Sequence, residues 1–271
     1  MTSFVDPATT AAVVAGVVGA VAGAFVPALV ARVPEPQPEL VPDTDITAAA
    51  DEAEFARPLD EPKELYADVA ALPGLRWKAA LASAVGLAAV GARTHWHPIL
   101  LVFVYLVPVC VALSVIDWRT RLLPTWLIAP SYYVVGALCV LASLLTGDWA
   151  ALRNAAIGWI GGFLFFFLMN LVFPAGMGYG DVRLSGVLGM ALGWVGLGPL
   201  ILGLYTGFFI GGVGGAVLSG LKVFHRKHYP FGPFMVVGAW LGVAFTPQLA
   251  AAYGWLIGLA VDAITAVVDA F

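Results

Sequence analysis

The chain has 271 residues, of which 61% are apolar and only 11% are charged, with seventeen acids against thirteen bases and a net charge of −4. A soluble domain carries charge on roughly a quarter of its residues, so the composition excludes an ordinary soluble fold and predicts an all-α polytopic membrane protein. No basic stripe is present, which argues against a nucleic-acid partner.

A helix needs about 20 apolar residues to cross the hydrocarbon core. Apolar runs of that kind lie at approximately 9–31, 76–92, 97–116, 125–146, 151–173, 182–197, 199–222 and 232–249, with an undecided ninth at 253–270. The expected architecture is therefore a bundle of about eight transmembrane helices. The amino-terminal run lacks the basic start and small-residue cleavage site of a signal peptide and reads as a retained first helix. It carries Gly16, Gly19 and Gly23, and the run after Pro199 carries Gly207, Gly211 and Gly215. Small residues at such spacing let helices approach closely.

Residues 33–75 are different material. This Pro-rich stretch holds eleven of the seventeen acids and has the low hydrophobicity of a weakly ordered loop. Thr47–Phe55 and Glu61–Leu72 have the pattern of short amphipathic helices. Three parts follow: a first transmembrane helix (1–32), an acidic cytoplasmic loop (33–75) and a membrane-embedded core (76–271). Placing the loop in the cytoplasm puts eleven Lys and Arg residues on the cytoplasmic side and only Arg93 and Arg153 outside. The positive-inside rule thus sets the amino terminus outside.

Cys110 and Cys139 both fall in apolar runs and form no C-x-x-C pair, so they read as small apolar residues. His95, His97, His225 and His228 are expected in loops, and His95-x-His97 has no third ligand nearby. No metal or other cofactor is expected. Asp262, in the last run, fits either a polar groove or an interfacial helix.

The chemistry concentrates in two places. In Gly176-Met177-Gly178-Tyr179-Gly180-Asp181-Val182-Arg183 a carboxylate stands at a membrane boundary, where desolvation is costly. The glycines permit a sharp bend or a close approach, and the run beginning at Val182 puts Asp181 at a helix start. Asp117, in Asp117-Trp118-Arg119-Thr120-Arg121-Leu122-Leu123-Pro124, stands at a matching boundary on the same cytoplasmic side. Alone, each aspartate reads as a helix cap or as a headgroup-level partner of Arg119 or Arg121. Together they predict an aspartyl-protease dyad. Two carboxylates sharing a site hold one proton between them, so one takes a proton from water while the other donates to the scissile carbonyl. Arg119, Arg121 and Arg183 read as positive-inside anchors, with Arg121 and Arg183 equally suited to shaping the site.

At these residues the sequence resembles the type IV prepilin peptidases, a family of intramembrane aspartyl proteases of the Gly-x-Gly-Asp type. Asp117 to Thr125 is similar to the family's first motif, and Gly178-Tyr179-Gly180-Asp181-Val182-Arg183-Leu184 to its second, with arginine in place of lysine. Gly186-Val187-Leu188-Gly189 and Phe231-Gly232-Pro233-Phe234 also fit. The resemblance implies Asp117 and Asp181 as the catalytic pair, with Gly178 and Gly180 as the turn that positions Asp181. Tyr179, Arg183 and Arg121 are the accompanying site-shaping residues. It implies a multi-pass protein of the bacterial cytoplasmic membrane that removes a basic leader from prepilins or pseudopilins bearing an apolar helix. Many members also carry a cysteine-rich, metal-binding loop after the first helix and methylate the new amino terminus. Here the loop has no cysteine, so peptidase activity alone is expected. The rival readings are a protease of the same type acting on signal peptides or other membrane proteins, a proton-coupled transporter, and an inactive assembly factor. The aspartates lie at span ends and no repeat is evident, which disfavours the transporter.

Overall fold

The structure is a computed structural model that describes residues 6–35, 64–172, 177–220 and 230–268. All regular structure among these residues is α-helical. The helices are α1 (Pro7–Gly23), α2 (Val26–Val30), α3 (Tyr66–Ala70), α4 (Leu75–Thr94), α5 (Leu100–Thr120), α6 (Thr125–Thr146), α7 (Trp149–Val172), α8 (Tyr179–Val195), α9 (Leu197–Gly220) and α10 (Gly232–Val268).

Among the described residues four helices are long and apolar enough to cross a membrane: Leu100–Thr120, Thr125–Thr146, Trp149–Val172 and Gly232–Gly258. Pro7–Gly23 and Leu197–Gly212 are apolar but shorter. The expected first run is broken at Ala24 and Phe25, because Pro27, in the first turn of α2, has no N–H to continue the ladder. The runs expected at 232–249 and 253–270 join in α10, which bends at Phe245 (φ −128°, ψ 29°) ahead of Pro247. A proline ring clashes with the carbonyl four residues back, and that displaces the backbone there. Helix α3 falls within the expected Glu61–Leu72, while Thr47–Phe55 lies outside the described residues.

Helix α5 is the most enclosed of the four long helices. It packs against α1, α4, α6 and α10, and three pairs of helices are held especially close: α1 with α4, α7 with α8, and α9 with α10. Glycines set the closeness of each pair. A Cβ on Gly158 of α7 would strike the Gly189 carbonyl of α8, and one on Gly189 would strike the Gly158 carbonyl. Between α9 and α10 a Cβ on Gly238 would strike the Gly207 backbone and one on Gly207 the Met235 backbone, and Gly19 and Gly23 lie against Ser83 and Ala79 of α4. Such approaches bring whole helix backbones into dispersion contact, the main source of cohesion where lipid is as apolar as the side chains. At one end of the bundle the Trp194 indole donates to Ser143 Oγ at 2.9 Å, tying α8 to α6.

The end carrying the aspartates is closed by the short helices. Tyr66 and Val69 of α3 are buried against α2 and α5. The Ala67 N–H donates to Glu35 Oε1 at 3.0 Å. Arg119 forms an ion pair with Glu64, its Nε donating to Oε2 at 2.7 Å. The chain is thus pinned on both sides of residues 36–63.

Candidate active site

Asp117 lies on the last turn of α5, where the helix stops at Arg121. Arg121 takes a left-handed conformation (φ 55°), and its N–H donates to the Asp117 carbonyl at 2.9 Å. Arginine pays a steric cost there that glycine would not, and the conformation turns the chain sharply towards Pro124 and α6. Asp181 is the third residue of α8, which begins at Tyr179 with Gly178 as its N-cap. The helix therefore starts before Val182, the expected first residue. A carboxylate at this position reaches back to the N-cap amide, and Asp181 Oδ2 accepts the Gly178 N–H at 3.2 Å.

Both carboxylates are enclosed: Asp117 is 5% exposed and Asp181 6%. Asp117 Oδ2 accepts the Gly232 N–H, at the first residue of α10, at 2.9 Å. Each carboxylate thus sits at the amino end of a helix, where unpaired N–H groups favour negative charge. The Asp117 charge acts on Asp181, and the Arg121 charge acts on Asp117. The two acidic groups, 64 positions apart in sequence (181 − 117), therefore lie within electrostatic reach of each other. Asp181 Oδ1 is buried and makes no hydrogen bond among the described residues. Leaving such an oxygen unpaired costs about 1–3 kcal/mol. A polar group held at that cost is available to a water or a substrate.

The remaining expected site residues divide by role. Gly180 has no left-handed φ. Its function is close approach, since a Cβ there would lie 2.6 Å from Leu123 Cβ. Gly178 likewise has ordinary extended angles (φ −76°, ψ 151°) and serves as the N-cap donor to Asp181. Both glycines have ordinary backbone angles, and the Gly178 amide is the one that holds Asp181. The Arg183 guanidinium lies 4.6 Å from the Tyr179 ring centroid and donates to Thr125 Oγ1. Arg119 points away from Asp117, to Glu64. Gly176, His225 and His228 lie outside the described residues. Among the described residues no three His, Cys, Asp or Glu side chains cluster as a metal site.

Three contributors escaped sequence reasoning. Gly232 belongs to the Phe231–Phe234 string noted above, but nothing local marks its amide as the partner of Asp117. Tyr132 donates its hydroxyl to the Arg183 carbonyl at 2.6 Å, and Asn170 Nδ2 donates to the Met177 carbonyl at 2.7 Å, just ahead of Gly178. A polar residue near the end of so apolar a helix as α7 was the available signal for Asn170.

Residues 104–219 match the type IV leader peptidase family. The prepilin leader peptidase/N-methyltransferase of Burkholderia pseudomallei is 35% identical over 137 residues, covering 47% of this chain and 40% of that protein. Its namesake from Aeromonas salmonicida is 36% identical over 141 residues, covering 50% and 46%. That of Stutzerimonas stutzeri is 31% identical over 147 residues, covering 52% and 48%. The aligned part spans less than half the length of each of these relatives. No solved structure matches. The family resemblance carried by the two motifs is thereby shown, over a segment that contains both Asp117 and Asp181.

Proposed function

We propose that the chain is an intramembrane aspartyl endopeptidase that removes the leader of a type IV prepilin or pseudopilin at the cytoplasmic membrane face. Asp117 and Asp181 are its catalytic pair. The observation that carries this reading is the burial of both carboxylates at neighbouring helix amino ends, with one oxygen of Asp181 unpartnered. The ionised carboxylate accepts a proton from water as that water attacks the scissile carbonyl carbon. The protonated carboxylate donates to the carbonyl oxygen. Collapse of the resulting diol, with a proton passed to the leaving nitrogen, breaks the C–N bond, so no covalent intermediate forms.

The helices cross the cytoplasmic membrane about eight times, with the amino terminus outside, following the charge asymmetry of the loops. The N-methyltransferase part of the relatives' name is not carried over, because residues 33–75 contain no cysteine.

The test is cleavage of a prepilin-like substrate in membranes by the wild type, Asp117→Asn and Asp181→Asn. Each substitution nearly keeps the shape and removes the titrating carboxyl. Wild-type cleavage with loss of at least about a thousandfold in both variants, at equal abundance, is expected for groups that act as a unit. A variant that cuts at the wild-type rate would remove its aspartate from the mechanism. Silence of the wild type itself would remove the substrate class.

A further inference from the structure

Helices α5 and α8 carry the two aspartates yet pack on each other little, whereas α6 and α10 each pack on both. The separation of the carboxylates is therefore set through those two helices. Helix α10 supplies the Gly232 amide to Asp117. Helix α6 holds the start of α8, through contacts at three levels. The Leu123 side chain lies against Gly180, 2.6 Å from where a Cβ would stand. The Arg183 guanidinium donates to Thr125 Oγ1 and stacks on the Tyr179 ring, 4.6 Å from its centroid. The Tyr132 hydroxyl donates to the Arg183 carbonyl at 2.6 Å. A carbonyl has two lone pairs, so this bond is added without breaking the α8 ladder. A Cβ on Gly186 would collide with the same hydroxyl, so that glycine leaves the notch through which Tyr132 reaches the α8 backbone. Trp159 of α7 backs the Tyr132 ring, with 6.0 Å between centroids.

We infer that Tyr132, Thr125 and Arg183 form a clamp that fixes α8 against α6 and so sets the distance between Asp181 and Asp117; the inference rests on the peptidase reading. All three are positioning residues. Arg183 lies two positions beyond Asp181, about 200° round the helix at about 3.6 residues per turn. Its guanidinium thus grips α8 from the side away from the carboxylate, and Asp181 Oδ1 stays without a protein partner. The link from Asp117 to the clamp is short and stiff. It runs through the left-handed Arg121 and through Pro124, the residue ahead of α6, whose ring fixes one backbone angle. Sliding of α8 along α6 therefore changes the carboxylate separation directly. Two carboxylates share one proton only at close range, so the reaction depends on that separation.

The experiment uses the full chain in membrane vesicles. The probe is a short basic leader joined to an apolar helix of about 20 residues. The readouts are kcat and KM per folded protein, and deuterium uptake of the segment that begins at Met177. Tyr132→Phe keeps the ring and removes the hydroxyl. Arg183→Lys keeps the charge and loses the planar fork that donates and stacks at once. Thr125→Val removes the acceptor. Each should lower kcat about tenfold, short of the hundredfold cost of a displacement of about 1 Å, with KM unchanged. Arg183→Lys combined with Thr125→Val should cut no more slowly than the slower single variant, because both break one contact. Tyr132→Phe should also speed exchange in the Met177 segment about fivefold, the weight of one hydrogen bond. Tyr133→Phe, at the exposed next residue, should change neither readout. A raised KM with unchanged kcat in Arg183→Lys would make Arg183 a substrate contact and overturn the clamp. Loss of cleavage in Asp181→Asn beside wild-type rates in the clamp variants would also overturn it and leave the peptidase reading standing. A wild type that does not cut would overturn the peptidase reading, and unchanged exchange in Tyr132→Phe would then overturn the clamp as well.

Discussion

Asp117 shows how little of its own environment a side chain carries by itself. Its position follows from α5, but its orientation depends on an amide at Gly232, 115 residues away in the chain. A Cβ at residue 232 would lie 2.8 Å from Asp117 Oδ2, so Gly232→Ala must displace either the carboxylate or the start of α10. A misplacement approaching 1 Å costs about 10²-fold in rate. Gly232→Ala should therefore lower cleavage by one to two orders of magnitude while leaving abundance and substrate capture intact. Gly161→Ala, into open space on α7, should leave cleavage unchanged. Equal rates for the two variants would show that the Gly232 amide does not matter to the reaction. The two aspartates were legible in the sequence because a carboxylate at the edge of an apolar run has a local signature. The Gly232 amide was not, because its role exists only once α10 has been brought against α5.

For the elements, the apolar runs located the long helices well and their ends less well. The start of α8 was read late because Tyr179 and Gly180 add little apolar character, although helix capping needs only an N-cap amide and a carboxylate three residues on. The bend at Phe245 was signalled by Pro247, yet the run reading placed the division beyond residue 249 because hydropathy does not register a broken hydrogen-bond ladder. The glycine contact between α7 and α8 can be tested directly. Gly189→Val puts a branched side chain where the Gly158 carbonyl stands. Overpacking of this kind costs about 1–3 kcal/mol. The variant should melt several degrees lower in detergent and lose cleavage in proportion to folded protein, whereas Gly161→Val should melt close to the wild type. An unshifted midpoint for Gly189→Val would mean that α7 and α8 are not held as closely as described.

For the whole molecule, the charge asymmetry makes a prediction about sidedness that needs no activity. Cys110 and Cys139 are buried, so the native chain gives little background to an impermeant maleimide. Trp149→Cys, on the exposed first residue of α7, should label in intact cells. Asp68→Cys, on α3 beside the acidic loop, should label only after the membrane is opened. The reverse pattern would invert the topology and place both aspartates outside.

The two pins flanking residues 36–63 also bear on insertions. Glu35 on the Ala67 amide and Glu64 on Arg119 fasten both ends of that stretch to the bundle. Doubling the length of a segment whose ends are fastened costs only about 0.6 kcal/mol in closure entropy. An insertion between the two pins is therefore expected to leave the Arg119 end of α5 in place.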